Sequence, residues 1–214
     1  NTEEFVKELK DLEIDCIVVV AFGQLIGNLL LEEFHDRIIN LHPSILPKYR
    51  GAAPMQFTLL NGDKETAPTT MLIEKGMDSG DILLQNVVNV DINDDYYSLE
   101  NKMSNLGSKA IKYTLLNFDK LYVNRIKQDD SKATFTKKIS KEMGNINWEN
   151  DSFAIYNQIR ALIDYPKAYF HYEGKNVKVL ESEILDSYQG NPGYVYEADS
   201  KNNIIIGTKN GAIR

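Results

Sequence analysis

Three side chains in this 214-residue chain have the types and spacing to move a proton and steady a negative oxygen: Asn40, His42 and Asp78. Asn40 and His42 close the apolar run IINLH and stand two residues apart. Residues i and i+2 of a strand face the same side, so the two can line one wall of a pocket. Asp78 follows the run TTMLIE in a turn, GMDSGD, that carries Gly76 and Gly80; such a turn can return a carboxylate to them. A primary amide can donate to a developing oxyanion, a contribution on the order of 10²–10³ in rate. An imidazole can carry a proton near neutral pH and, once charged, can also stabilise the oxyanion. A carboxylate can orient that imidazole, favour its charged form, or accept a proton through water. Together these groups suit acyl transfer. No serine or cysteine is placed to pair with His42, because Ser44 lies in a proline-flanked loop and serves better as a turn cap. Direct transfer to an amine therefore fits better than a covalent intermediate. Taken singly, His42 also reads as a satisfied strand-end histidine and Asp78 as a turn residue.

The elements that must position these groups follow from the hydrophobic pattern. Residues 3–12 place Phe5, Val6, Leu9 and Leu12 at helical spacing, and the run IDCIVVVAF reads as a strand covered on both faces in a parallel sheet. A short helix near 28–34 precedes the strand IINLH, and Pro43, Pro47, Gly51 and Pro54 make 43–54 a stiff loop. A helix over about 53–60 stops at Asn61-Gly62. Strands at 69–74 and 82–90 and one long helix over 98–121 complete the region. Alternating helices and strands predict an α/β class with a mostly parallel, Rossmann-like sheet, in which ligands gather at the carboxyl ends of the strands. Residues 122–140 lack periodicity and carry Arg125, Lys127, Lys132, Lys137 and Lys138, the pattern of a basic linker. Beyond it a helix over 151–162 precedes the short strands KAYFHY, NVKVLESEIL, GYVYEA and NNIIIG, which suggest a small β-barrel of OB-like type. The expected organisation is a catalytic domain over 1–121, the linker over 122–140, and the barrel-like domain over 141–214.

Composition sets outer bounds. With 43% apolar and 26% charged residues, the chain can build both a core and a solvated surface. The apolar runs are too short or interrupted for a membrane span, and the start does not read as a signal peptide. A net charge of -7 argues against a protein that coats nucleic acid, while leaving room for a local RNA-gripping patch. Cys16 opens an apolar run and reads as a buried thiol rather than a nucleophile, consistent with a reducing, cytoplasmic location. No ligand spacing for a metal is present. Trp148, the only tryptophan, reads as core packing.

Four blocks identify a family. INLHPSILPKYRGAAP followed by TTMLIEKGMDSGDIL resembles the signature of the methionyl-tRNA formyltransferases, within the folate-dependent formyltransferase superfamily. VVVAFGQLI is similar to that family's strand and loop before the active site. QDDSKATFTKKISKEMGNINW is similar to its interdomain segment, and IRALIDYPKAYF to the start of its C-terminal domain. The resemblance implies transfer of a formyl group from 10-formyltetrahydrofolate to the α-amino group of methionyl initiator tRNA in translation initiation, without a metal. It maps the catalytic triad onto Asn40, His42 and Asp78. Asn40 and His42 would stabilise the oxyanion, while Asp78 would orient His42 and assist proton removal. The folate pteridine would lie against Phe22, Gly23, Gln24 and Leu25 and beside Glu74, Gly76 and Met77. Phe22 stands where the family often has tyrosine. Substrate contacts would come from Ser44, Lys48, Arg50, Arg125 and Lys127. A cytoplasmic monomer, free of membranes, is the expected state.

The chain departs from the family at its ends. An opening strand and glycine-containing turn, about seventy residues in all, are expected to be missing from the family's nucleotide-binding-like domain, and the last barrel strands with them. Missing strands would expose sheet edges, so this stretch alone is expected to be unstable or aggregation-prone, with little or no activity; a mass measurement would separate a partly observed longer protein from a true fragment. Rival readings are a sugar-amine formyltransferase, which shares the triad and the folate, a hydrolase releasing formate from the same folate, and an inactive folate- or RNA-binding fragment. RGAAP and the region beyond residue 140 favour the tRNA enzyme.

Overall fold

The computed structural model describes residues 2–199 and 204–214. In chain order the elements are α1 (Glu3–Asp11), β1 (Ile17–Val20), α2 (Asn28–Glu33), β2 (Ile38–His42), β3 (Arg50–Gly51) and α3 (Pro54–Leu60). There follow β4 (Glu65–Thr66), β5 (Thr69–Leu72), β6 (Ile82–Gln85), β7 (Val88–Asn89), α4 (Tyr96–Leu116), α5 (Phe118–Val123) and β8 (Phe135–Thr136). The last are α6 (Ser152–Ala161), β9 (Ala168–Tyr172), β10 (Lys175–Val179), β11 (Ile184–Leu185), β12 (Val195–Ala198), β13 (Ile204–Gly207) and β14 (Ala212–Ile213). They form two compact units. The first comprises Asn1–Pro54, Glu65–Asn89 and Asn101–Lys137; the second comprises Met55–Lys64, Val90–Glu100 and Lys138–Arg214.

The first unit is built on a four-stranded sheet in the order β1-β2-β5-β6. α1 starts where the Thr2 hydroxyl accepts from the Phe5 amide at 3.2 Å, and Glu3 and Glu4 lie in its first turn. It buries Val6 among Leu30, Leu31, Phe34 and Ile38. A second cluster joins Ile39, Leu72 and Leu83 to Ile111 of α4 and to Phe118, Leu121 and Tyr122. Gly107 lets α4 approach β2 closely, since a Cβ there would stand 2.6 Å from Leu41 Cδ2.

The expected mostly parallel sheet is instead mixed. β1 and β2 are parallel, but β2–β5 and β5–β6 are antiparallel. The reason lies in where the chain re-enters. His42, the last residue of β2, pairs with Thr69, the first of β5, so the chain returns at the end it left, whereas a parallel neighbour needs a crossover to the opposite end. Burial along β1 alternates, with Val18 38% and Val20 54% exposed, so this strand is not covered on both faces. Cys16 is half-buried rather than buried; burial and the neighbouring Asp15 push its thiol up, away from nucleophilic character.

Two further expectations are refined. The long helix breaks at Asn117, whose side-chain amide donates to the Tyr113 carbonyl at 2.9 Å, a local bond that competes with helix continuation. Residues 122–140 do not form a free linker. β8 pairs in parallel with β3, Arg50 with Phe135 and Gly51 with Thr136, and the first unit runs to Lys137.

In the second unit Asp151 caps α6 by accepting from the Ala154 amide at 2.6 Å. Ile146, Ile155, Ile159, Ala168 and Ile213 form its core, with half-buried Trp148 packed against them and edge-on to Phe170. Arg160 is buried; its Nη1 donates to the carbonyls of Asp91, Ile92 and Asp94, and its Nε to Asn157. The expected barrel is not established. Among the described residues the strands form two separate antiparallel sheets, β10-β9 and β11-β14-β13-β12, because NVKVLESEIL splits into β10 and β11 and each joins a different partner. Part of NNIIIG, residues 202 and 203, lies outside the described residues. No helix among the described residues is long and apolar enough to cross a membrane.

Candidate active site

Asn40 and His42 occupy alternate positions of β2 and therefore share a face. His42 is buried, while Asn40 is half-buried and its side chain makes no hydrogen bond among the described residues. His42 Nε2 lies 2.9 Å from the Tyr49 carbonyl. A carbonyl only accepts, so Nε2 carries the proton and Nδ1 of the neutral ring is left free. That Nδ1 lies 3.7 Å from Asp78 Oδ2. Burial pushes the His42 pKa below its ordinary value of 6.5, against the opposing pull of Asp78 and of the Tyr49 bond. His42 is thus a neutral base at neutral pH, with a carboxylate ready to stabilise the proton it takes.

Asp78 reaches this point by an indirect route. Because β5 is antiparallel to β2, its carboxyl end lies beside Ile39, and Ile73 bonds to the Ile38 carbonyl at the far end of β2. The two strands therefore do not present His42 and Asp78 at one sheet end, as the parallel reading required. Segment 73–81 folds back instead. Its ends are tied by Ile73 N–H to the Ile38 carbonyl and by Leu72 N–H to the Asp81 carbonyl; nearer Asp78, Gly51 N–H donates to Asp78 Oδ2 at 2.7 Å, and Gln128 Nε2 donates to the carbonyls of Asp78 (2.8 Å) and Gly80 (2.7 Å). Asp78 itself has φ +47°, a left-handed conformation uncommon outside glycine though tolerated by aspartate.

The loop 43–53 is braced from within and from β8. Ser44 is fully buried; its hydroxyl donates to the Lys48 carbonyl at 2.6 Å and its own carbonyl accepts from Thr69. It holds the turn. Arg50 is likewise buried. Its Nε donates to Gln128 Oε1 at 3.0 Å and its Nη2 to Asp130 at 2.8 Å, so the guanidinium braces the loop. Tyr49 N–H donates to Thr134 Oγ1 and Ala53 N–H to Thr136 Oγ1. Arg125 bonds Asp81 at 2.9 Å and stacks on the Tyr122 ring. Lys48 and Lys127 are exposed.

The residues expected around the pteridine are exposed: Phe22, Gly23, Gln24 and Leu25 after β1, and Glu74, Gly76 and Met77 after β5. Val20 pairs in parallel with Leu41, so the 21–25 loop leaves the sheet at the end where His42 stands. Gly23 has φ +71°. Sequence reasoning missed Tyr49, Gly51 and Gln128. Gln128 opens the block QDDSKATF, which marked it as part of a shared segment without assigning it a partner.

Comparison with known proteins settles the family. Residues 1–115 match the model described as formyl transferase, and residues 138–214 match the model described as formyl transferase, C-terminal domain. The chain belongs to the formyl transferase family. Among relatives of this formyl transferase, the methionyl-tRNA formyltransferase of Caldanaerobacter subterraneus subsp. tengcongensis is 39% identical, covering all of this chain and 69% of the relative. The methionyl-tRNA formyltransferase of Finegoldia magna is also 39% identical, with the same coverage. Among solved structures, WlaRD, a sugar 3N-formyl transferase crystallised in the presence of dTDP and 5-N-formyl-THF, superposes with a TM-score of 0.74 at 27% identity. That match covers 92% of this chain and 70% of the other. The formyl transferase described here is thus a formyl-transferring enzyme.

Proposed function

We propose that this formyl transferase moves the formyl group of 10-formyltetrahydrofolate to the α-amino group of methionyl initiator tRNA, in translation initiation. The observation that carries the reading is a free amide and a buried, neutral imidazole on one face of β2, with the Asp78 carboxylate 3.7 Å from the imidazole. The amine nitrogen attacks the formyl carbon and the carbonyl oxygen becomes an oxyanion. Asn40 donates to that oxygen. Neutral His42 has no spare N–H, because Nε2–H is committed to Tyr49; Nδ1 instead accepts the proton lost by the attacking amine. The resulting imidazolium is held by Asp78 and adds its charge to oxyanion stabilisation. Collapse of the tetrahedral intermediate releases the folate nitrogen, which takes up the proton.

Exposed apolar side chains after β1 and β5 support these loops as the seat of the donor's flat ring. Phe22, Leu25 and Met77 expose 53%, 78% and 53% of their surface, and the open backbone at Gly23 can approach a polar ring edge. Lys48 and Lys127 are the free cations best placed to meet phosphate. Whole-chain similarity to relatives named methionyl-tRNA formyltransferase supports the tRNA acceptor, and the solved sugar formyl transferase supports an amino-sugar nucleotide as the alternative. We read the protein as a cytoplasmic monomer. The deciding experiment supplies 10-formyltetrahydrofolate with charged initiator tRNA or with an amino-sugar nucleotide. Transfer to the sugar alone would overturn the acceptor, and equal rates for parent and His42→Ala would overturn the site.

A further inference from the structure

We infer that Gln128 is the residue that positions Asp78 against His42, acting as a bridge between the loop after β2 and the turn after β5. Its carboxamide is used at every position that matters. Oε1 accepts from Arg50 Nε, a group that can only donate, and Nε2 donates to the carbonyls of Asp78 and Gly80, which can only accept. The orientation of the amide is therefore fixed by chemistry, and only glutamine serves both partners at this length. Gln128 is buried, and Arg50 is buried behind it with its outer nitrogen on Asp130.

The turn needs such a hold. Asp78 sits at positive φ, and segment 73–81 must cross back along β2 from Ile38 to Gly51. Among the described residues, only Gly51 N–H is hydrogen-bonded to the Asp78 carboxylate, and Gln128 holds the backbone carbonyls of Asp78 itself and of Gly80 after it. The gap between Asp78 Oδ2 and His42 Nδ1 is 3.7 Å, so a small retreat of the turn weakens the one charged partner of His42. Asp78 is also the only charged group acting on His42 among the described residues; the other contact is the Tyr49 carbonyl. Gln128 touches no reacting atom. It is a positioning residue, and its role deepens the formyl-transfer reading.

The test reads His42 directly and does not depend on that reading. NMR titration of the histidine ring follows His42 in the full chain, with His42→Gln assigning its signal against His35 and His171. In Gln128→Met, which keeps length but loses all three hydrogen bonds, His42 is expected to titrate about 0.5–1 pH unit lower, because burial then acts with less opposition from Asp78. In the Asp78→Asn background Gln128→Met is expected to change nothing further. Should Gln128→Met fail to fold, Gln128→Asn keeps the amide and adds no charge but is one methylene too short to span Arg50 and the two carbonyls, and is expected to give the same downward displacement. An unchanged His42 titration in a folded variant, or an equal displacement with and without the Asp78 carboxylate, would overturn the proposal. Formyl transfer is the second readout: about a tenfold loss in kcat with KM for the folate unchanged. If His42 moves while neither acceptor is formylated by the parent, the positioning stands and the substrate reading fails.

Discussion

Replacing Asn40 with alanine separates chemistry from stability more cleanly than any other change at this site. The Asn40 side chain is half-buried and makes no hydrogen bond among the described residues, so truncation orphans no partner and leaves the β1–β2 and β2–β5 ladders intact. The cost to folding is then limited to strand preference, below about 1 kcal/mol. The cost to reaction is larger. With His42 Nε2–H committed to Tyr49, the Asn40 amide is the side-chain donor of the proposed triad that can meet the oxyanion before His42 is charged. Loss of such a donor costs on the order of 10²–10³ in kcat, about 2.7–4 kcal/mol in the barrier. The assay is single-turnover formyl transfer at saturating 10-formyltetrahydrofolate, paired with thermal unfolding of the same preparation. The expected result is a hundredfold or greater fall in rate (about 10² or more) with Tm nearly unchanged. A rate within about tenfold of the parent, or a collapse in Tm that accounts for the loss, would refute the assignment.

Stability should also depend on His42. Its folded pKa is lowered below 6.5 by burial, so below the unfolded value the unfolded chain binds the extra proton. Stability is expected to fall as pH drops from about 6.5 toward the lower folded pKa, and denaturant titrations of His42→Gln should show a flatter profile there. Gly51→Ala sets a Cβ 2.5 Å from the Thr136 carbonyl at φ +113°; we expect a loss of about 1–3 kcal/mol in stability together with most of the activity, since the same residue anchors Asp78. Arg160→Leu leaves the carbonyls of Asp91, Ile92 and Asp94 without their shared donor and is expected to destabilise the second unit by about 2–4 kcal/mol, as read by hydrogen exchange on α6.

The candidate triad was legible because two of its members share a strand and the third sits in a turn whose glycines announce it. The helices expected over 3–12, 28–34, 53–60 and 151–162 lie within a residue of those bounds, because apolar spacing and the Asn61-Gly62 stop are local signals. Strand direction was not. The order of helices and strands is the same whether the chain re-enters a sheet at the near or the far end, and only the pairing of His42 with Thr69 decides. The basic character of 122–140 masked its use, because the residues that anchor it, Gln128, Thr134 and Thr136, are uncharged. Arg50 and Ser44 look like substrate groups by type and position, and only burial shows that their donors are spent inside the loop.

The β3–β8 pairing has a consequence for how the enzyme comes into being. Tyr49 and Thr134 are 85 residues apart in sequence, and Asp78 waits on Gln128, so the site cannot lock while the chain is still emerging through α4. Strands β1, β2, β5 and β6 can assemble first; the reactive groups gain their geometry only when residue 136 arrives and zips to residue 51. Activity should therefore appear as a late event in synthesis and refolding. A single nick between Val123 and Gln128 should silence the enzyme while leaving its central sheet in place.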